Sequence, residues 1–247
     1  MHIITHSFDH NEMLVEQLLA QFPLDVAMYK AIGCNNIEEY KITGDAHVAV
    51  LKHEGLKDGM RIYDLGCGSG RTAQALLRAG WQGHYKGVDI VYRLVEYLKE
   101  KCAGYDASVN RKLNIVADDN SLDMVFHWSV FTHLYIEECY IYLHEIMRSL
   151  KPGGRLVFSF LELEDERHRK IFTDRVARFK GPDVWGHLDT FLHRDWIRRW
   201  AAEIGFTPPR FTDGTDNTHH PHFWQTLVAM DKPLPAAPGA GATVLAA

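Results

Sequence analysis

The sequence predicts an α/β fold built on a parallel, doubly wound sheet, and three observations carry that reading. From Arg61 to Phe160, short apolar runs alternate with amphipathic segments at helical spacing, the pattern of strand–helix–strand units. The connections between them are short, so each helix must cross back over the sheet. The run Arg155–Phe160 is apolar on both faces, as a strand covered by helices on both sides must be.

The elements follow in order. Met13, Leu14, Leu18 and Leu19 form a helical stripe over Asn11–Gln21, which Pro23 interrupts. Asp25–Ile32 adds a short turn of helix, and Gly33-Cys34-Asn35-Asn36 is a loop. Ile37–Lys41 leads to Gly44, and a further amphipathic helix is expected over Asp45–His53, with Asp45 as an acid in its first turn. Residues 1–58 thus precede the first strand and have no place in the sheet, so they are expected to cap its pocket.

Strand one, Arg61–Leu65, runs into Gly66-Cys67-Gly68-Ser69-Gly70, and a helix follows over Arg71–Ala79. The glycines let the backbone turn tightly and approach a ligand. The helix start aims free N–H groups and a positive dipole end at it. The spacing is G-x-G-x-G, neither the pyrophosphate-binding G-x-G-x-x-G nor a Walker loop. Asp64, just before the turn, would repel a phosphate and suits a cation. Strand two, Tyr85–Asp89, ends in an acid 19 positions after Gly70. From there a carboxylate accepts hydrogen bonds from ribose hydroxyls. A helix over Arg93–Cys102 places Leu94, Tyr97 and Leu98 on one face, and Tyr105–Val109 is the third strand, with Ile115-Val116 competing for it. Leu122–Trp128 is the fourth strand, and Ser129-Val130-Phe131-Thr132-His133-Leu134 follows. The helix Glu137–Leu150 stops at Lys151-Pro152-Gly153-Gly154, and Arg155–Phe160 is strand five. His222–Met230 reads as the last strand. Residues 59–231 make the main domain, and 232–247 are a Pro/Ala/Gly tail expected to be flexible.

Composition bounds the function. The 247 residues are 46% hydrophobic and 24% charged, which suits a sizeable core. The net charge of −5 gives no reason to expect nucleic acid. No apolar run approaches the length needed to cross a bilayer, and Met1–His10 does not resemble a signal peptide. Cys34, Cys67, Cys102 and Cys139 lack C-x-x-C spacing, so reduced thiols in a cytoplasmic enzyme are expected.

Several separate stretches agree with one family. Asp64-Leu65-Gly66-Cys67-Gly68-Ser69-Gly70, the terminal Asp89, Ser129–Leu134 and Leu150-Lys151-Pro152-Gly153-Gly154 resemble the motifs of class I S-adenosylmethionine (SAM) methyltransferases, in their order and spacing. The resemblance covers about Met60–Phe160 and extends loosely to Met230. It implies a Rossmann-like sheet of seven strands in the order 3-2-1-4-5-7-6, the last antiparallel. It also implies SAM as cofactor and S-adenosylhomocysteine as product. Carried over, Asp64, Gly66, Cys67, Gly68 and Gly70 line the methionine and ribose part of SAM. Asp89 holds the ribose hydroxyls, Ile90 lies against the adenine, and Trp128 and Ser129 sit beneath the methionine. Family members often place an acid at the end of strand three. Here one register puts Asn110 there, and Asp118 or Asp119 are the rivals if the strand is Leu113–Ala117.

In such chemistry the protein holds acceptor and methyl group aligned, and a base helps where the acceptor is a hydroxyl. The expected acceptor is a small molecule, methylated at oxygen, with nitrogen and carbon as alternatives. Secondary-metabolite or sugar tailoring fits the family's habits, a homodimer is a further possibility, and a non-catalytic SAM-binding module is the rival class. His133, just after strand four, is the candidate base; its other reading is a structural histidine supporting the next helix. His219, His220 and His222 form either a metal site or a solvated loop, and the latter is preferred. No acidic triad for a catalytic metal is recognisable. Glu162 is either part of a solvated helix start or a substrate-facing group. Trp196 and Trp200 share a helical spacing that suits a core, and Tyr29 and Tyr40 either close over SAM or pack inside.

Overall fold

The computed structural model describes residues 8–180, 188–216 and 223–235. Three helices, α1 (Phe8–Gln21), α2 (Leu24–Ala31) and α3 (Ile37–His53), precede β1 (Arg61–Leu65). Then come α4 (Arg71–Arg78), β2 (His84–Asp89), α5 (Tyr92–Lys101), β3 (Asp106–Val109) and β4 (Leu122–His127). A 3-10 turn over Phe131–His133 leads into α6 (Ile136–Ser149), β5 (Leu150–Phe160) and α7 (Glu166–Phe179). The chain ends with α8 (Arg194–Ile204), β6 (Arg210–Thr212) and β7 (Thr226–Asp231).

The sheet has seven strands in the order β3-β2-β1-β4-β5-β7-β6. β1 to β5 pair in parallel, and β7 runs antiparallel between β5 and β6. This is the topology that the family resemblance implies. Successive side chains of the central strands face opposite ways. Tyr63 and Val125 therefore enter the apolar layer beneath α6 and α8, with Leu143, Ile146 and Ile197. Ile62, Met124 and Phe126 enter the other layer, with Leu76 and Leu98 of α4 and α5. Burial on both faces explains why these strands read as near-continuous apolar runs.

The N-terminal helices differ from expectation at Gly44. Ile37–His53 is one uninterrupted helix, capped by the Asn36 side chain, which accepts from the Glu39 N–H at 2.8 Å. Gly44 is a point of close approach, not a break: a Cβ there would lie 2.8 Å from the Arg71 carbonyl oxygen. Asp45 consequently sits in mid-helix and pairs with Arg78 at 2.7 Å. Through Val48, Val50 and Leu51, α3 joins the apolar layer of α4, while α1 and α2 pack on α5 through Val15, Met28 and Leu94. Tyr97 donates to Asp25 at 2.9 Å and fixes α2 to α5.

The third-strand ambiguity resolves to β3 at Asp106–Val109, paired with β2 in register Asp89↔Val109. Trp128 lies just past β4, and β7 starts at Thr226, later than His222. The stretch from His219 to His222, Trp185, and the tail beyond Pro235 lie outside the described residues.

Candidate active site

The carboxyl ends of β1, β2 and β4 open into a cavity of about 1090 Å³ that the N-terminal helices cover. A cavity this size is at the upper end of the range for small-molecule sites, roughly 300–1000 Å³. Asp64, Gly66, Cys67, Gly68, Asp89, Ile90, Asn110, Trp128, Ser129 and His133 all line it. Gly70 does not. It caps α4 at φ +83°, where a Cβ would strike the Leu98 side chain, so its role is in the turn itself.

One half of the cavity is built by backbone. The N–H groups of Gly66 and Cys67 both donate to the Val88 carbonyl, at 2.8 and 2.9 Å, folding the turn onto the end of β2. Gly68 N–H then donates to Asp89 Oδ2 at 2.9 Å and Val91 N–H to Oδ1 at 3.0 Å. Each carboxylate oxygen keeps a lone pair for a ligand hydroxyl. Burial pushes the Asp89 carboxyl up from its usual range, against the pull of those backbone donors. Asp64 is fully enclosed and receives the Tyr85 hydroxyl at 2.7 Å. Burial raises its pKa to about 8, with Tyr85 and Arg71 opposing the rise and Asp89 adding to it. The carboxyls of Asp64 and Asp89, at the ends of β1 and β2, suit a cationic nucleoside, so the donor set fits SAM. At the end of β3, Asn110 accepts from Lys112 N–H at 3.1 Å and donates to the Asn114 carbonyl at 3.0 Å. Of its rivals, Asp119 is engaged with Arg148 at 2.6 Å, and neither it nor Asp118 lines the cavity.

The other half is built by side chains. Ser129, just past β4, holds φ +58°, an uncommon value for a residue with a Cβ. Its N–H donates to Ser159 Oγ at 2.8 Å and its hydroxyl to Gln225 Oε1 at 2.9 Å. Beside it, His47 of α3 stacks on Trp128 with ring centroids 4.6 Å apart, and Phe223 closes edge-on at 5.2 Å from Trp128. Trp224, Leu161 and Ile171 extend this apolar and aromatic lobe. His133 Nδ1 lies 3.0 Å from the Leu188 carbonyl, which only accepts, so Nδ1 carries the proton and Nε2 the lone pair in the neutral ring. Burial holds the His133 pKa below 6.5.

Several sequence candidates fall elsewhere. Glu162 is 2% exposed and does not face the cavity. It takes a bidentate pair from Arg194 at 2.7 and 2.8 Å and the Thr226 hydroxyl at 2.5 Å, tying β5 to α8 and β7. Tyr40 is buried, donates to the Ser69 carbonyl at 3.1 Å and receives Gln74 at 2.9 Å. It therefore latches α3 onto the glycine turn. Trp200 packs against the core, whereas Trp196 is half exposed. His47, Arg71, Thr72, Phe223 and Gln225 are among the lining residues that sequence reasoning missed. His47 sits on the buried face of a helix, where its signal is that of an ordinary core histidine.

Comparison with known proteins decides the family. A family described as "Methyltransferase domain" matches residues 63–158. A demethylmenaquinone methyltransferase of Staphylococcus aureus (strain JH9) is 32% identical over 209 residues, covering 75% of this chain and 85% of that enzyme. The chain belongs to the class I SAM-dependent methyltransferases. A carboxy-S-adenosyl-L-methionine synthase of Stutzerimonas stutzeri (strain A1501) is 29% identical over 162 residues, 61% of this chain. The match spans 66% of that relative, and only 52% of a second S. aureus relative named demethylmenaquinone methyltransferase (strain MRSA252). Among solved structures, the magnesium protoporphyrin IX methyltransferase of Synechocystis with bound S-adenosylhomocysteine superimposes with a TM-score of 0.63. That match covers 92% of this chain and 98% of the other at 18% identity, and it bears on the fold of this methyltransferase alone.

Proposed function

We propose that this methyltransferase acts on a small molecule at a hydroxyl oxygen, with Asp89 holding the ribose of SAM and His133 taking the acceptor's proton. The observation that carries the proposal is one cavity joining a backbone-pinned carboxylate to a histidine whose Nδ1 is spent on a backbone carbonyl. When bound, SAM supplies an electrophilic methyl carbon on a sulfonium. Asp89 accepts from the ribose hydroxyls with the lone pairs that Gly68 and Val91 leave it. Ile90 and Asn110 border the adenine, and the Asn110 carbonyl has a second lone pair for its amino group. Asp64 serves the cationic methionine end, and a positive charge beside it draws its proton off.

The aromatic lobe of Trp128, His47 and Phe223 supports a flat, largely apolar acceptor and favours an aromatic hydroxyl over a free sugar. His133, neutral near pH 7, receives the hydroxyl proton at Nε2, which is the role of a general base. The names of two similar proteins, citing demethylmenaquinone and magnesium protoporphyrin IX, favour small molecules as acceptors. Four unpaired, buried cysteines support a reducing, cytoplasmic setting.

The test is acceptor-dependent release of S-adenosylhomocysteine from the full chain, with a panel of phenols, quinols, amines and sugars. Methyl ether products from the phenols or quinols support the proposal. Turnover confined to amines or carbon acceptors overturns the oxygen assignment, and tight SAM binding without turnover favours the non-catalytic module.

A further inference from the structure

Helix α7 has its polarity turned outward. The one side chain it buries is His168, while Phe172, Val176 and Phe179 are 43%, 39% and 58% exposed. Their spacing of four and three residues sets them in one stripe along the helix, the stripe that a core-packed helix would hide. Exposed apolar side chains scattered singly are ordinary; three in helical register mark a surface that meets something. The buried histidine fixes where that surface lies. Glu162 N–H donates to His168 Nδ1, and His168 Nε2 donates to the Trp224 carbonyl, both at 3.1 Å. Trp224 is itself 43% exposed and lines the cavity, as does Ile171, the neighbour of Phe172. α7 therefore runs along the rim of the cavity.

The charge of α7 is opposite to that of the chain. The whole carries −5, yet α7 sets Arg167, Arg169, Lys170, Arg175 and Arg178 against Glu166 and Asp174, and Lys180 follows. Asp174, on the far side of the helix from the stripe, pairs with Lys170 at 2.8 Å. Arg167 and Arg175 pair with Asp165 and Asp189. Arg169 lies three residues before Phe172 and Lys180 four after Val176, so both edge the stripe. Both are exposed, and neither forms an ion pair among the described residues.

We propose that α7 docks on an anionic lipid surface. Phe172, Val176 and Phe179 enter the boundary between headgroups and acyl chains, and Arg169 and Lys180 meet lipid phosphates. An apolar stripe edged by cations is the form of a helix that lies in a membrane interface. Such docking needs no spanning segment, and no described helix is long and apolar enough to be one. A second copy of the chain is the poorer occupant, because a twofold contact through this stripe would set two cationic helices face to face. On the acceptor reading given above, docking brings the apolar lobe beside a lipid phase from which a flat, apolar acceptor can enter. The docking itself does not depend on that reading.

The test is co-sedimentation of the full chain with vesicles of phosphatidylcholine alone and of an equimolar mixture with phosphatidylglycerol. The intact chain should bind the mixed vesicles about 10-fold or more tightly than the neutral ones, and added salt should shrink the difference. Phe172→Ser with Phe179→Ser should weaken binding to the mixed vesicles by about 10-fold or more. Arg169→Glu with Lys180→Glu should weaken it by a similar factor and leave binding to neutral vesicles within about twofold. Thermal melts check that both double variants fold. Should the phenylalanine variant not fold, the charge variant and the two vesicle compositions still decide. No binding to the mixed vesicles, or binding that the folded variants do not weaken, overturns the proposal. A dimer in sedimentation velocity that the phenylalanine variant dissociates also overturns it, since a second copy then covers the stripe. No cofactor enters these assays, so failure of the SAM reading would leave their result standing.

Discussion

The two halves of the cavity are made in different ways. At the ends of β1 and β2 the ligand-facing groups are set by backbone: Gly66, Cys67 and Gly68 donate their N–H groups to Val88 and Asp89, and the carboxylate has no freedom left. Beyond β4 the surface is made of side chains from distant elements, His47 of α3, Trp128, Phe223 and His133, held by stacking and by the Ser129–Ser159–Gln225 network. A backbone-built half serves any ligand of one chemistry and tolerates few substitutions. A side-chain-built half is open to repacking, and the proposed function puts acceptor choice there.

The largest effect that would break this division comes from His133. His133→Gln should lower turnover by about 100-fold or more, the ordinary share of a general base, while leaving S-adenosylhomocysteine binding within about twofold. Because burial puts the His133 pKa below 6.5, the intact enzyme should lose kcat/KM only on the acid side of that value and stay level from there to pH 8. A variant that loses cofactor binding together with turnover would place His133 in the wrong half.

An intermediate effect is expected at Gly66, where φ is +72° and a Cβ would clash with Val130 Cγ2. Gly66→Ala should cost about 2–3 kcal/mol, from left-handed strain plus the clash. A thermal melt should show Tm lower by roughly 4–10 °C. Adding Val130→Ala should recover the clash and leave about 1 kcal/mol of strain. Full recovery, or none, would contradict a backbone-built turn.

The smallest effect separates a scaffold histidine from those of the cavity. His127 is fully buried between Phe131 and Phe158, and neither ring nitrogen has a partner. Burial lowers its pKa to about 3. The unfolded chain, titrating near 6.5, binds more protons than the folded one between those values. Stability from this residue is therefore intact above pH 6.5 and lost as pH falls, at up to about 1.4 kcal/mol per unit. His127→Leu should match the intact protein or exceed it by about 1 kcal/mol at pH 7.5, with an advantage about 2 kcal/mol larger at pH 5. Urea melts at the two pH values measure it, and a constant difference would contradict the assignment.

The same division explains what the sequence could reveal. The turn of Gly66, Gly68 and Gly70 after β1, and Asp89 at the end of β2, were legible because a tight turn demands glycines at fixed spacing and a strand end is marked by where its apolar run stops. Alternation revealed a parallel, doubly wound sheet, the strand order followed from the family resemblance, and both strand faces being buried made β4 and β5 plain. Gly44 misled because a glycine that breaks a helix and one that admits a neighbouring helix look alike; only the proximity of Arg71 tells them apart. Glu162 read as surface or substrate-facing, since its partner Arg194 lies 32 residues on and nothing local announces the pair. His47 and Phe223 are 176 residues apart, yet their rings are 5.4 Å apart beside Trp128. Contacts of that separation leave no periodicity to read.

The most direct test of the account is calorimetric titration of the intact chain and of Asp89→Ala with SAM and S-adenosylhomocysteine. The intact chain should bind both ligands, and the variant should bind them about 100-fold more weakly, the loss of two hydrogen bonds to a charged acceptor. Equal affinity in the variant, or no binding by the intact chain, would contradict it.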